Sequence, residues 1–172
     1  AQFAKLSGAR EVAVSGLKGV DDMRLGIARE LGVDHILYSE ENPVEAILDL
    51  TNGQGADFVL EASATAEGFA HGLNSAKRSK EGRGGNGKVS VISLWGEPIT
   101  FTPDSLSLHQ LSVQGAWSWN GRETWLRAIE LIKSGKFNLD ALLTGHYALE
   151  DWDKAFESCR QRTDCKAFIY PN

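Results

Sequence analysis

A chain of 172 residues, 42% of them hydrophobic, can bury a core as one domain. Its 18 basic and 23 acidic residues leave a net charge of −5 with no long basic run, which argues against nucleic acid as a partner. No apolar stretch approaches the roughly 20 residues of a membrane-spanning helix, and the first residues lack the layout of a signal peptide, so the expectation is a soluble cytoplasmic protein with no membrane partner.

The chain opens on helical spacing at Phe3 and Leu6, stopped by Gly8. Glu11 to Val14 reads as a short strand, and Ser15-Gly16-Leu17-Lys18-Gly19 as the loop after it. From Asp21 to Leu31 the pattern is helical, with Met23, Ile27, Ala28 and Leu31 on one face and Gly32 ending it. His35 to Tyr38 is the next strand. Pro43 starts a helix whose apolar face is Val44, Ile47, Leu48 and Leu50, broken at Asn52-Gly53. Phe58, Val59 and Leu60 form an unbroken apolar run, the pattern of a strand covered on both faces. Small residues follow, and Thr65 is placed to cap a helix with Glu67 in its first turn. That helix is expected over Phe69 to Lys77, and Glu81 to Gly87 is a glycine-rich loop. Val89 to Leu94 reads as a strand stopping at Trp95-Gly96, and Leu111 to Trp117 as another by its alternation. Glu123 to Ser134 is an amphipathic helix, with Trp125, Leu126, Ile129, Leu131 and Ile132 expected to face inward. A last helix from about Glu150 to Arg160 leads to a terminal strand from Ala167 to Tyr170.

Strands alternating with helices at this spacing predict an α/β fold with a doubly wound parallel sheet, in one domain spanning residues 1–172. Ligands collect where such strands end, because helix N-termini and small residues leave backbone groups free. The stretch from Gly55 to Glu67 is therefore the first candidate. A triphosphate loop is excluded on two grounds. Gly82 and Gly87-Lys88 match its spacing, but Val89 stands where a hydroxyl should reach magnesium, and the loop feeds a strand rather than a helix. His35, His71, His109 and His146 have no spacing that would gather metal ligands. Cys159 and Cys165 are too few for a disulfide framework and lack partners for a zinc site.

Four segments, in order, carry a family resemblance. They are Arg24-Leu25-Gly26-Ile27-Ala28-Arg29-Glu30-Leu31-Gly32-Val33-Asp34, Gly55-Ala56-Asp57-Phe58-Val59-Leu60-Glu61-Ala62-Ser63, Val91-Ile92-Ser93-Leu94-Trp95-Gly96 and Leu111-Ser112-Val113-Gln114-Gly115. Together they resemble the cofactor-binding domain of medium-chain dehydrogenases, and among these the zinc-containing alcohol, polyol and threonine dehydrogenases. The resemblance implies a Rossmann-like domain whose first strand and glycine-rich phosphate turn lie upstream of this chain, together with the domain that holds the catalytic zinc. It implies the C-terminal part of a longer oxidoreductase, transferring hydride between a secondary alcohol or polyol and NAD or NADP, with this chain inactive by itself. A zinc-free quinone-reductase-like enzyme of the same superfamily and a non-catalytic binding or assembly module are the alternatives.

The same resemblance assigns side walls to a cofactor site. The second strand of such domains usually ends in a carboxylate for the adenosine ribose hydroxyls. The matching place is Gly16, within Ser15-Gly16-Leu17-Lys18, and Lys18 and Arg24 are cations able to attract a 2'-phosphate; this tilts the choice from NAD toward NADP. The competing reading gives Gly16 to the turn and leaves Lys18 solvated. Ala62, Ser63 and Ala64 are implied to pass close to the adenosine half, although Ala64 stands where the family often has glycine. Ser93, Leu94 and Trp95 are implied to hold the nicotinamide carboxamide through backbone groups, with Gly115, Ala116, Trp117 and Ser118 lining the same end. Packing or subunit contact is the competing role for the two tryptophans. Lys166 matches a basic position able to reach the cofactor phosphates. The resemblance further implies a homo-oligomer joined through the edge strand from Leu111 to Trp117, whose free backbone groups lie beside apolar Val113 and Trp117. No catalytic residue and no metal ligand is assigned to this chain.

Overall fold

The computed structural model describes residues 1–79, 85–117 and 121–171. In chain order its main elements are α1 (Gln2–Leu6), β1 (Ala13–Gly16), α2 (Asp22–Glu30), β2 (His35–Tyr38), α3 (Pro43–Leu50), β3 (Phe58–Glu61), α4 (Ala66–Ser75), β4 (Lys88–Val91), α5 (Asp104–His109), β5 (Ser112–Gly115), α6 (Arg122–Lys133), β6 (Leu143–Ala148), α7 (Trp152–Arg160) and β7 (Lys166–Tyr170). They divide into two compact units, residues 41–118 and residues 1–40 with 119–172. The class is α/β, and every strand pairing among the described residues is parallel, in three sheets ordered β1-β2, β3-β4-β5 and β6-β7.

In the unit of residues 41–118, α4 packs across β3 and β4. Thr65 caps this helix as expected, its hydroxyl accepting from Gly68 N at 3.0 Å. Phe69, Leu73, Ala76 and Val89 form the buried core, flanked by Val59, Val91 and Trp95. Only one face of β3 is covered. Val59 and Glu61 turn toward α4, whereas Phe58 and Leu60 are 58% and 54% exposed. The apolar run expected to be buried on both faces thus has one open face, because alternate residues of a strand point to opposite sides and α4 covers only one of them. Gly55 cannot carry a side chain, since its φ is +87° and a Cβ would stand 2.6 Å from the Ala76 carbonyl oxygen.

In the other unit, β1 is shifted two residues along from the expected strand. Asp34 accepts from Val12 N at 2.7 Å ahead of the ladder, and the register Ala13↔His35 to Gly16↔Tyr38 brings Ser15 and Gly16 into the strand rather than the loop. α6 forms where expected, but Trp125, Leu126, Ile129 and Ile132 are exposed. A 3.6-residue period shows which residues share a face and not what covers it. The last helix begins as a single 3-10 turn, Leu149–Asp151, before α7. α5 and β6 were not legible as elements: α5 is six residues long, and β6 carries Gly145 where a side chain would overlap the Asp164 carboxylate. The glycine-rich loop falls mostly outside the described residues; Lys88, just after it, opens a strand, as expected for a turn that is no triphosphate loop.

Leu73, 4% exposed in the core, and Phe58, on the open face, make a direct contrast. Leu73→Ala is expected to lower stability by about 2–5 kcal/mol, and Phe58→Thr to change it by no more than about 0.5 kcal/mol, as read from urea unfolding midpoints.

Candidate functional site

Parallel pairing puts the C-terminal ends of β3, β4 and β5 on one edge, and the register levels them. Glu61 lies opposite Val91, and Val91 opposite Gly115. The ladder runs one step further through Ile92 N to the Glu61 carbonyl at 3.0 Å and Ala116 N to the Val91 carbonyl at 2.8 Å. Beyond that level Ala62, Ser63 and Ala64 follow β3, whereas after β4 Ser93 lies between Ile92 and Leu94, and after β5 Ala116 is followed by Trp117. Ala64 is left-handed, with φ of 56°, a conformation that costs a non-glycine residue roughly 1–2 kcal/mol. It makes the tight turn that delivers the chain to the Thr65 cap.

One buried carboxylate organises this edge. Glu61 is 3% exposed. Its Oε1 accepts from Ser63 N at 2.6 Å, Ser63 Oγ at 2.6 Å and Ala64 N at 3.2 Å, while Oε2 accepts from Ser93 Oγ. Burial pushes the Glu61 carboxyl upward, but the bonds from Ser63 and Ser93 and from the turn amides outweigh it and hold the group below its ordinary 4.5. The network continues through Ser63 Oγ, 3.1 Å from Thr65 Oγ1, to the N-terminus of α4. A side chain at Gly68 would overlap Ser63 Oγ. Glu61 was not singled out from sequence. The available signal was a glutamate ending an apolar strand on the same face as Val59, a place where a charge is kept only when hydrogen-bonded.

The implied site residues around it differ in character. Leu94 and Trp117 are each 72% exposed, whereas Trp95 is half-buried and meets Phe69 edge-on at 5.6 Å. Trp95 therefore packs with its ring while its backbone stays at the edge. Gly115 and Ala116 are exposed, with open space beside Gly115. Ser118 lies outside the described residues.

Ser15, Gly16, Lys18, Arg24 and Lys166 belong to the other unit. The turn after β1 is held by carboxylates: Leu17 N donates to Asp21 at 3.0 Å, Lys18 N to Glu40 at 3.4 Å and Gly19 N to Asp22 at 3.0 Å. A Cβ at Gly16 would approach Asp21 Cβ to 3.0 Å, so glycine here leaves room for that carboxylate. Lys18 Nζ lies over the Tyr38 ring at 5.3 Å. Arg24 is tied down, 3.8 Å from Asp21 and donating to the Asp164 carbonyl at 3.0 Å. Lys166 opens β7 and is exposed. Just before it, Asp164 is buried and accepts from Tyr147 at 2.7 Å and Thr144 at 3.2 Å; these bonds hold its carboxyl below the ordinary range against the opposing effect of burial.

Three of the four histidines are occupied locally, His35 with Glu11 at 3.1 Å, His71 with Glu67 at 3.9 Å and His146 with Tyr170 at 2.9 Å, whereas Nδ1 of His109 is buried with no hydrogen-bond partner among the described residues. Among the described residues no three of His, Cys, Asp and Glu converge as a metal site, so the donor set does not fit a zinc ion. No helix among them is long and apolar enough to cross a membrane.

Because the folded Glu61 carboxyl titrates below 4.5, its stabilising effect is complete above that value and is lost as pH falls through the lowered one. Comparing urea midpoints from about pH 7 to about pH 3, Glu61→Gln is expected to lose stability less steeply on acidification than the parent protein. An identical slope would contradict the assignment.

Comparison with known proteins gives one consistent answer. The profile of the zinc-binding dehydrogenases matches residues 1–134. L-threonine 3-dehydrogenase of Thermococcus kodakarensis is 31% identical over 98% of this chain and 46% of its own length. Sorbitol dehydrogenase of Halalkalibacterium halodurans is 30% identical over 99% of this chain and 48% of its own length. This chain thus spans about half the length of the curated relatives it matches. Among solved structures, an alcohol dehydrogenase from Thermotoga maritima is similar at a TM-score of 0.84 and 27% identity, over 99% of this chain and 46% of the other. Benzyl alcohol dehydrogenase of Acinetobacter calcoaceticus shares the fold, with a TM-score of 0.86 at 24% identity over 99% of this chain and 45% of the other. The parallel α/β arrangement is that of the Rossmann-like domain of the alcohol dehydrogenases, and the chain belongs to the zinc-binding dehydrogenase family.

Proposed function

We propose that the level edge of β3, β4 and β5 is one wall of a nicotinamide dinucleotide site in an oxidoreductase that moves hydride between a secondary alcohol or polyol and NAD(P). The observation that carries this reading is the register that brings three strand ends to one height, with the small residues Ala62, Ser63 and Ala64 beyond β3 and Ser93 and Ala116 among the larger residues beyond β4 and β5. A flat ligand can approach backbone only where side chains are small, and parallel sheets present such places at this edge. Relatives named as threonine and sorbitol dehydrogenases support the substrate class.

On this reading Ala62, Ser63 and Ala64 border the adenosine half. Ser93, Leu94 and Trp95 offer backbone groups to the nicotinamide carboxamide, with Ala116, Trp117 and Ser118 on the same side. In the other unit, taken by itself, Ser15 to Lys18 are proposed as ribose-binding residues and Lys166 as a phosphate-binding one. When bound, the cofactor supplies hydride chemistry; what these residues do is bind and orient it. Zinc ligands and the proton relay are assigned to residues outside this chain, which is proposed to be inactive alone. Lys18, over the Tyr38 ring, is the residue proposed to meet an NADP 2'-phosphate, against the Asp21, Asp22 and Glu40 carboxylates that hold the same turn. β5 pairs only with β4 among the described residues and exposes Val113, so a second copy is the proposed partner at this edge.

Two measurements test the reading. Tryptophan fluorescence titrations with NADPH and NADH, on this chain and on a longer form that carries the preceding segment, should show saturable quenching with tighter NADPH binding. Lys18→Gln should weaken NADPH about tenfold and NADH hardly at all. Absence of binding to the longer form, or equal losses for both nucleotides, contradicts the respective assignment. For the partner, sedimentation should show an oligomer that Val113→Lys converts to monomer; an unchanged mass would rule the edge out.

A further inference from the structure

Glu61 offers no group to a passing ligand, yet its two oxygens are divided in a telling way. Oε1 takes all three donors of the β3–α4 turn, Ser63 N, Ser63 Oγ and Ala64 N. Oε2 takes Ser93 Oγ, 32 residues further on, past the end of β4. One carboxylate thereby spans two strand ends that, among the described residues, are otherwise linked by ladder bonds below this level, such as Ile92 N to the Glu61 carbonyl, and by the packing of Trp95 on Phe69. Burial strengthens such bonds, because no water competes for the acceptor.

The turn has a reason to need this. Ala64 is held at a positive φ that it does not favour, and its own N–H is one of the donors to Oε1. Strained backbone of this kind persists only where its surroundings over-determine it. Glycine at the same place would adopt the conformation without support.

We propose that Glu61 is a positioning residue that fixes the two walls of this edge to each other, Oε1 imposing the Ser63-Ala64 turn and Oε2 anchoring the Ser93 end of β4. Its consequence for ligand binding rests on the cofactor reading above, because a wall fixed before the ligand arrives need not be ordered by it. The mechanical link itself is independent of that reading.

The test is backbone 15N relaxation on the whole chain, comparing the parent with Glu61→Met, Ser93→Ala and the double variant Glu61→Met with Ala64→Gly. In the parent, residues 62–65 and 93–95 should be rigid, with order parameters near about 0.85. Glu61→Met should drop both segments toward about 0.6 while the β4 interior at Val89 and Ser90 stays rigid. Ser93→Ala should loosen residues 93–95 alone, and Ala64→Gly, which relieves the strained φ without adding rigidity, should return part of the urea-unfolding midpoint lost in Glu61→Met while residues 62–65 stay loose. Loosening spread evenly over the unit, a silent Ser93→Ala, or an unchanged urea midpoint on adding Ala64→Gly to Glu61→Met would overturn the proposal. Should Glu61→Met fail to fold, Ser93→Ala decides by itself. In the longer form, NADPH binding should weaken about tenfold in Glu61→Met. If the parent there binds no nucleotide, the cofactor reading fails, and the relaxation pattern still decides the role of Glu61.

Discussion

Parallel pairing is the constraint from which the arrangement of this protein follows. Two adjacent parallel strands cannot be joined by a tight turn, so each connection must travel back along the sheet, and a helix is the economical way to do it. α2 serves β1 and β2, α4 serves β3 and β4, α5 precedes β5 and α7 precedes β7. The same constraint sends every strand of a ladder to finish on one edge. At β3, β4 and β5 the register makes those finishes level, and the small residues Ala62, Ser63 and Ala64 lie just beyond β3.

That edge is polar underneath. A carboxylate buried to the extent of Glu61 is costly unless its lone pairs are used, and here Ser63, Ala64 and Ser93 supply the donors. The turn after β1 follows related logic with the charges outside. Asp21, Asp22 and Glu40 receive the N–H groups of Leu17, Gly19 and Lys18, and the chain is bent without a tight steric conflict because residue 16 is glycine. In both places backbone donors at a strand end are satisfied by acidic side chains, which sets the turn before any ligand is considered.

Much of this was legible in the sequence. Helix faces with clear periodicity, the Pro43 start, the Thr65 cap and the strands at His35 to Tyr38 and Phe58 to Glu61 all form where their chemistry places them. The family was legible as well, because its segments recur in order even though no single motif decides it. What sequence could not supply was coverage and long-range partners. The apolar stripes of α6 and of the outer face of β3 are real, but a pattern carries no information on which surface meets them. β6 was hidden because its only strong cue, Gly145, answers to Asp164, a residue 19 positions away, and cannot be understood without that neighbour. Glu61 was hidden for the same reason: its meaning lies in Ser93, brought alongside only by the ladder.

The level edge of β3, β4 and β5 is proposed to meet a nicotinamide cofactor. The most direct measurement is amide shift mapping on 15N-labelled protein, in the longer form, during titration with NADPH and NADH. The account predicts perturbations concentrated at Ala62 to Ala64, Ser93 to Trp95 and Ala116 to Trp117, with the open face around Phe58 and Ser90 unmoved. Saturable shifts that avoid those strand ends, or that gather on the open face instead, would contradict it.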